Sequence, residues 1–289
     1  MNLSKNTDVK IIECPRDAMQ GIKEFITTQN KIAYINALLG VGFDTIDFGS
    51  FVSPKAIPQM RDTAQVLEGL DLQDTQTKLL AIVANARGAE QASQFEEINY
   101  LGFPFSISEN FQMRNTHKTI EESIKVLDQI LNVAASSKKE VVTYLSMGFG
   151  NPYGDPWNVE IVAHWTEILS QMGVKILSLS DTIGTATPEN IEYLFKNLIP
   201  LYSNIEFGAH LHTTYDSWFE KVDSAFNAGC HRFDGAIKGF GGCPMAKDEL
   251  TGNMPTEKLL SYFTSKKAAT NTKPMSFESA YNASLQVFG

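Results

Sequence analysis

The stretch VEIVAHWTEILSQMGVKILSLSDT (residues 159–182) decides the fold. Apolar residues recur at helical spacing through 159–171, Gly173 interrupts them, and a β-rich run at 176–180 ends on the polar pair Asp181-Thr182. This is a helix, a left-handed glycine cap and a strand in immediate succession. The same punctuation recurs where Gly42 precedes Phe43-Asp44-Thr45-Ile46-Asp47, and where Gly229 precedes Cys230-His231-Arg232-Phe233-Asp234. Working outward, eight strands are expected, at 9–14, 45–48, 79–84, 103–107, 141–146, 176–180, 206–212 and 232–237. Helical patterns are clearest at 120–135, 159–171, 189–197 and 218–227. Such alternation predicts βαβ units and a parallel sheet. No linker or low-complexity tract divides the chain, so the expectation is an α/β fold, one (β/α)8 barrel of the TIM type over residues 1–289, its core at roughly 9–270.

Composition narrows the function. The chain has 289 residues, 43% of them hydrophobic, and a net charge of −9 without any run of Lys or Arg. Nucleic acid and anionic membrane surfaces are therefore not expected partners, whereas an anionic small molecule is compatible if a metal or arginine reverses the local field. Three cysteines, Cys14, Cys230 and Cys243, are too few for a disulfide framework and suit a reducing compartment. Residues 1–8 carry no targeting pattern, and no apolar run approaches the roughly 20 residues of a membrane span. A cytoplasmic protein is expected.

In a barrel of this kind the reactive groups gather where strands end. Arg16-Asp17 follows the first strand, Asp47 and Ser50 the second, and Asp181-Thr182 the sixth. His210 and His212 form His-x-His on the seventh, where residues i and i+2 share one face and can both reach the barrel mouth. Two histidines so placed are either metal ligands or packed polar residues. Closure makes strands seven, eight and one neighbours, which brings the Asp17 carboxylate and the Asn253 amide to the same point. Two nitrogen and two oxygen donors suit Mg²⁺ or Mn²⁺ better than a thiolate zinc site. Cys243 lies in Gly239-Phe240-Gly241-Gly242-Cys243-Pro244, read as a Gly-rich, mobile loop over the catalytic face. Cys14 and Cys230 are read as structural, and His117, His164 and His231 as packing or surface residues.

These pieces resemble a known family. Pro15-Arg16-Asp17-Ala18-Met19-Gln20, Ser50-Phe51-Val52-Ser53-Pro54-Lys55, Thr119-Ile120-Glu121-Glu122-Ser123, Leu179-Ser180-Asp181-Thr182-Ile183-Gly184, His210-Leu211-His212 and Gly241-Gly242-Cys243-Pro244 stand in the order found in 3-hydroxy-3-methylglutaryl-CoA lyases. The resemblance covers roughly residues 9 to 270. It implies metal-dependent retro-Claisen cleavage of 3-hydroxy-3-methylglutaryl-CoA into acetyl-CoA and acetoacetate, by an enzyme that tends to form homodimers. It further implies metal ligation by Asp17, His210, His212 and Asn253. Arg16 would stabilise a thioester enolate, and Cys243 would deliver a proton to the carbanion. Gln20, Asp47, Ser50, Ser108, Asp181, Thr182 and Glu257 fall at supporting or substrate-facing positions. Lys23, Lys55 and Arg114 are read as ordinary solvated charges first and as candidates for the CoA phosphates second.

The chain also departs from that pattern. Asp47 stands where the family has Glu, Gln20-Gly21-Ile22 replaces Gln-Asn-Glu, Thr213 replaces Asp, and Asp216-Ser217-Trp218 is atypical. The segment from Cys243 to Asn253 is one residue longer and carries Lys247, Asp248 and Glu249. The alternatives are a lyase for another branched 3-hydroxyacyl-CoA, a synthase joining acetyl-CoA to a 2-oxo acid, and a barrel that only binds a ligand.

Overall fold

The computed structural model describes residues 8–242 and 251–289. Eight parallel strands follow one another as β1 (Lys10–Glu13), β2 (Thr45–Ser50), β3 (Lys78–Ile82), β4 (Ile98–Ser106), β5 (Glu140–Ser146), β6 (Ile176–Asp181), β7 (Glu206–Thr213) and β8 (Arg232–Gly235). Each pairs with its sequence neighbours, and β8 pairs with β1, so the sheet closes. A two-residue strand, β9 (Gly252–Asn253), adds antiparallel to β7, opposing His212 to Asn253. Around the barrel stand α1 (Pro15–Gln20), α2 (Thr28–Leu39), α3 (Thr63–Glu68), α4 (Ala86–Ala92), α5 (Glu109–Thr116), α6 (Ile120–Ser136), α7 (Val159–Gln171), α8 (Pro188–Leu201), α9 (Trp218–Asn227), α10 (Thr256–Ser265) and α11 (Pro274–Phe288). No helix is long and apolar enough to cross a membrane among the described residues.

The eight expected strands and four expected helices are all present. Gly42, Gly173 and Gly229 adopt φ of 85°, 94° and 97°, the left-handed return that the repeat required. Strand β4 begins five residues before the expected 103, because Gly102 and Pro104 disguise it. A Cβ at Gly102 would lie 2.5 Å from Ile82 Cδ1 and 3.3 Å from Tyr144 Cε2, so the glycine makes room for its inward neighbours.

The interior is divided. On β3 to β6, Leu80, Ile82, Tyr100, Val142, Tyr144 and Ile176 form an apolar cluster separate from the larger core between sheet and helices. The β7–β8–β1–β2 side instead carries charged residues and the two histidines, and the candidate site is built on that side.

Glu13 fastens the chain next to the site. Its carboxylate is wholly buried and accepts from the Ile237 backbone at 2.9 Å and from Thr256 Oγ1 at 2.6 Å, gripping both sides of the segment that contains Cys243. Burial, opposed by these hydrogen bonds, pushes its pKa from 4.5 up to about 8. The folded state thus holds a proton that the unfolded chain releases, so stability falls as pH rises from 4.5 through about 8. Glu13→Gln is expected to flatten the decline of melting temperature across that window. An unaltered slope in the variant would assign the decline to other groups.

Candidate active site

Arg16 and Asp17, expected just past the first strand, lie in the short helix α1, opened by Pro15 at its first position. Helical spacing brings Gln20 against both residues. Arg16 Nη1 donates to Asp17 Oδ1 at 2.9 Å and Gln20 Oε1 at 3.0 Å, while Gln20 Nε2 donates to Asp17 Oδ1 at 2.8 Å. From β2, Asp47 accepts from Arg16 Nε at 3.0 Å and from Nη2, a bidentate clasp that aims the guanidinium. One guanidinium faces two buried carboxylates and cannot satisfy both equally. Burial acts on Asp17 to raise its pKa, but Arg16, the two histidines and the Asn253 hydrogen bond outweigh it and hold the carboxyl at about 2. Burial dominates at Asp47 and lifts it to about 6.

The histidines are fixed from behind. His212 Nδ1 meets the Thr182 carbonyl oxygen at 2.9 Å, and a carbonyl only accepts, so this nitrogen carries the hydrogen. The His212 Nε2 lone pair is buried and has no hydrogen-bond partner among the described residues. Burial and the neighbouring His210 lower the pKa of His212, keeping it neutral. His210 Nδ1 donates in the same way to Asp234 Oδ2 at 3.0 Å, leaving its Nε2 for the cavity. The two rings lie 5.2 Å apart.

Donor atoms of Asp17, His210 and His212 all lie within 4.8 Å of one another. Asn253 Nδ2 donates to Asp17 Oδ2 at 2.7 Å and to the Phe240 carbonyl at 2.8 Å, so the fourth expected residue joins the same cluster through Asp17. It sits on β9. An orphaned, neutral histidine nitrogen beside an ionised carboxylate and a second imidazole fits a divalent cation by chemistry as well as by position.

The cluster opens into a cavity of about 300 Å³ lined by Arg16, Asp17, Gln20, Thr182, His210, His212 and Gly242, with an apolar wall that includes Val52, Ile82, Pro104 and Phe111. A larger hollow of about 800 Å³ lies at the opposite end, around Lys10, Asp44 and Thr77, and contains none of the site residues.

Three of the residues expected at supporting or substrate-facing positions hydrogen-bond within the protein. Ser50 Oγ donates to the Ile82 carbonyl at 3.3 Å. Ser108 caps α5 by accepting from Phe111 N at 3.2 Å, and donates to Asp155 at 2.5 Å. Asp181 forms a buried ion pair with Lys221 at 2.7 Å. None of the three lines the cavity. Glu257 accepts from Lys238 N at 3.0 Å, next to the Gly-rich segment. Cys243 lies outside the described residues. The glycines before it were read as flexible, but Gly241 serves close approach: a Cβ there would lie 2.7 Å from the Asp17 carbonyl oxygen and 2.9 Å from Asn253 Nδ2. Lys23 and Lys55 are exposed, and Arg114 stacks over Tyr153 at 4.8 Å. Cys14 and Cys230 are buried free thiols.

Sequence reasoning passed over Asp234 and Lys221. For Asp234 a signal existed, since Arg232 and Asp234 place two charges at i and i+2 inside an expected barrel strand. Lys221 gave none; it lies on an amphipathic helix where a lysine ordinarily faces water.

The model of the HMGL-like family matches residues 8–283. The chain belongs to the HMGL-like family. Among its HMGL-like relatives, a hydroxymethylglutaryl-CoA lyase of Bacillus subtilis is 35% identical over 259 residues, covering 90% of this chain and 86% of the relative. A 3-hydroxy-3-isohexenylglutaryl-CoA/hydroxymethylglutaryl-CoA lyase of Pseudomonas aeruginosa is 33% identical, covering 90% and 85%. The crystal structure of the Bacillus subtilis HMG-CoA lyase superposes with a TM-score of 0.91 at 33% identity, covering 97% of this chain and 93% of that one. This HMGL-like chain thus shares its barrel with carbon–carbon lyases that act on acyl-CoA thioesters.

Proposed function

We propose that the protein is a metal-dependent 3-hydroxy-3-methylglutaryl-CoA lyase, releasing acetyl-CoA and acetoacetate. The observation that carries this reading is the meeting of Asp17, His210 and His212 around one point, with Arg16 clasped beside it at the cavity wall. Asp17, His210 and His212, with Asn253 adjoining, would hold Mg²⁺ or Mn²⁺. Such an ion supplies Lewis acidity, making a nearby alcohol a better proton donor.

The protein's own groups account for the rest. Cleavage removes the C3 hydroxyl proton, breaks C2–C3, forms the C3 carbonyl, and leaves C2 as a thioester enolate. Asp17, ionised and oriented by Arg16, Gln20 and Asn253, accepts the hydroxyl proton. The Arg16 guanidinium, held by Asp47, meets the charge developing on the thioester oxygen. Cys243 then delivers a proton to C2, and solvent exchange returns the proton from Asp17 to the thiolate. The apolar wall of Val52, Ile82, Pro104 and Phe111 suits the branched carbon, and the three cysteines suit a cytoplasmic setting.

Purified protein supplied with Mg²⁺ or Mn²⁺ is expected to release acetoacetate and acetyl-CoA in equal amounts, and EDTA to stop the release. A folded, metal-replete preparation that leaves this thioester intact would refute the substrate. Asp47 and the lengthened segment after Cys243 favour a second reading, a lyase for another branched 3-hydroxyacyl-CoA. Comparing kcat/KM for two or three such thioesters separates the two. Cys243→Ala is expected to lower turnover by about 10²–10⁴-fold while bound metal is unchanged. Full turnover in that variant would remove the thiol from the chemistry.

A further inference from the structure

Beneath the histidines, the barrel interior holds a second polar group that the proposed reaction does not use. On β8, Phe233 packs outward against Phe263 with ring centroids 5.0 Å apart, so Arg232 and Asp234 on either side of it point inward. Both are almost completely buried, at 1% and 3% exposure. Asp234 Oδ2 receives the hydrogen bond from His210, but its Oδ1 has no partner among the described residues. All three guanidinium nitrogens of Arg232 are likewise without one. The nearest opposite charges at Arg232, Asp44 Oδ1 and Glu206 Oε1, each stand 3.9 Å away, beyond hydrogen-bonding range.

A buried guanidinium and a buried carboxylate oxygen left in this state are costly to the fold unless something connects them. Two further groups face the same region: the buried hydroxyls of Tyr144 and Ser178 also lack partners. Gly208 on β7 leaves the space open, since a Cβ there would lie 3.1 Å from Ser178 Oγ and 3.2 Å from Arg232 Cδ. The Tyr144 ring touches His210 edge-on at 5.5 Å, so this region borders the histidine on a second side. Donors outnumber acceptors, and bound water, which both donates and accepts, fits such a set.

We propose that water bound among Arg232, Asp234, Tyr144 and Ser178 joins Arg232 to Asp234, and that this support fixes the His210 ring with Nε2 toward the cation. Arg232 is then a positioning residue that acts through Asp234. The inference rests on the reading of His210 as a metal ligand. Groups that orient a ligating histidine typically change metal affinity about 10–100-fold when removed.

The test is the Kd for Mn²⁺, followed by the electron-spin signal of the free ion, in the wild type and in Arg232→Met, Asp234→Asn, the double variant and Arg232→Lys. Arg232→Met and Asp234→Asn are each expected to weaken binding at least tenfold. The double variant should bind no more weakly than the weaker single variant, and Arg232→Lys should recover most of the affinity. Wild-type affinity in folded Arg232→Met, or losses that multiply in the double variant, would overturn the relay. Should Arg232→Met fail to fold, a high-resolution crystal structure of the wild type decides: ordered water between Arg232 and Asp234 Oδ1 supports the proposal, and a dry contact overturns it. A wild type that binds no Mn²⁺ at all would point to failure of the ligand assignment itself.

Discussion

Asp17→Asn is expected to reduce thioester cleavage by about 10³-fold or more and to weaken Mn²⁺ binding together with it. The two effects share one cause. Among the described residues, Asp17 is the carboxylate that groups with both His210 and His212, and it accepts from Arg16, Gln20 and Asn253 at once. Asparagine keeps the shape but has only one oxygen for those three donors, and it brings no negative charge to a cation or to a hydroxyl proton. Isothermal titration with Mn²⁺ and a product assay at saturating metal separate the losses. If the variant bound Mn²⁺ as tightly as the wild type and turned over within a few-fold of it, neither role could stand.

The second large effect belongs to Arg16. Arg16→Met is expected to lower kcat by about 10²–10³-fold and to destabilise the fold by about 3–5 kcal/mol, because Asp47 loses its ion-pair partner in a buried setting. The two consequences can be divided. Adding Asp47→Asn removes the stranded charge, so the double variant should regain much of the stability while kcat stays low. Thermal melts and steady-state kinetics on both variants provide the check. Recovery of turnover along with stability would reduce Arg16 to a structural ion pair.

The order of these elements was legible in the sequence for a physical reason. Each barrel unit must return through a tight turn, and Gly42, Gly173 and Gly229 mark it because side chains disfavour that conformation. His210 and His212 were legible because a strand repeats every two residues, and their approach to Asp17 followed from closure. Local geometry was less visible. Pro15 did signal a helix start, but a six-residue helix is too short for periodicity to reveal. Strand β9 exists only because β7 offers it an edge, which Gly252-Asn253 cannot announce. Ser50, Ser108 and Asp181 stand at strand ends as a substrate contact would. Their polar atoms go to a strand carbonyl, a helix cap and a buried lysine, which suits the supporting half of that expectation, and these choices are made by tertiary neighbours. Gly241 carries the same lesson: what reads as flexibility is the room that lets the backbone pass over Asp17.

The central claim is that distant parts of the polypeptide converge on a single cation. Crystals grown with Mn²⁺ and measured at its absorption edge test it most directly. The expected result is one strong anomalous peak about 2.0–2.3 Å from an Asp17 oxygen and from Nε2 of both His210 and His212. A protein that takes up no Mn²⁺, or a peak bound elsewhere while these three side chains hold only one another, would contradict it.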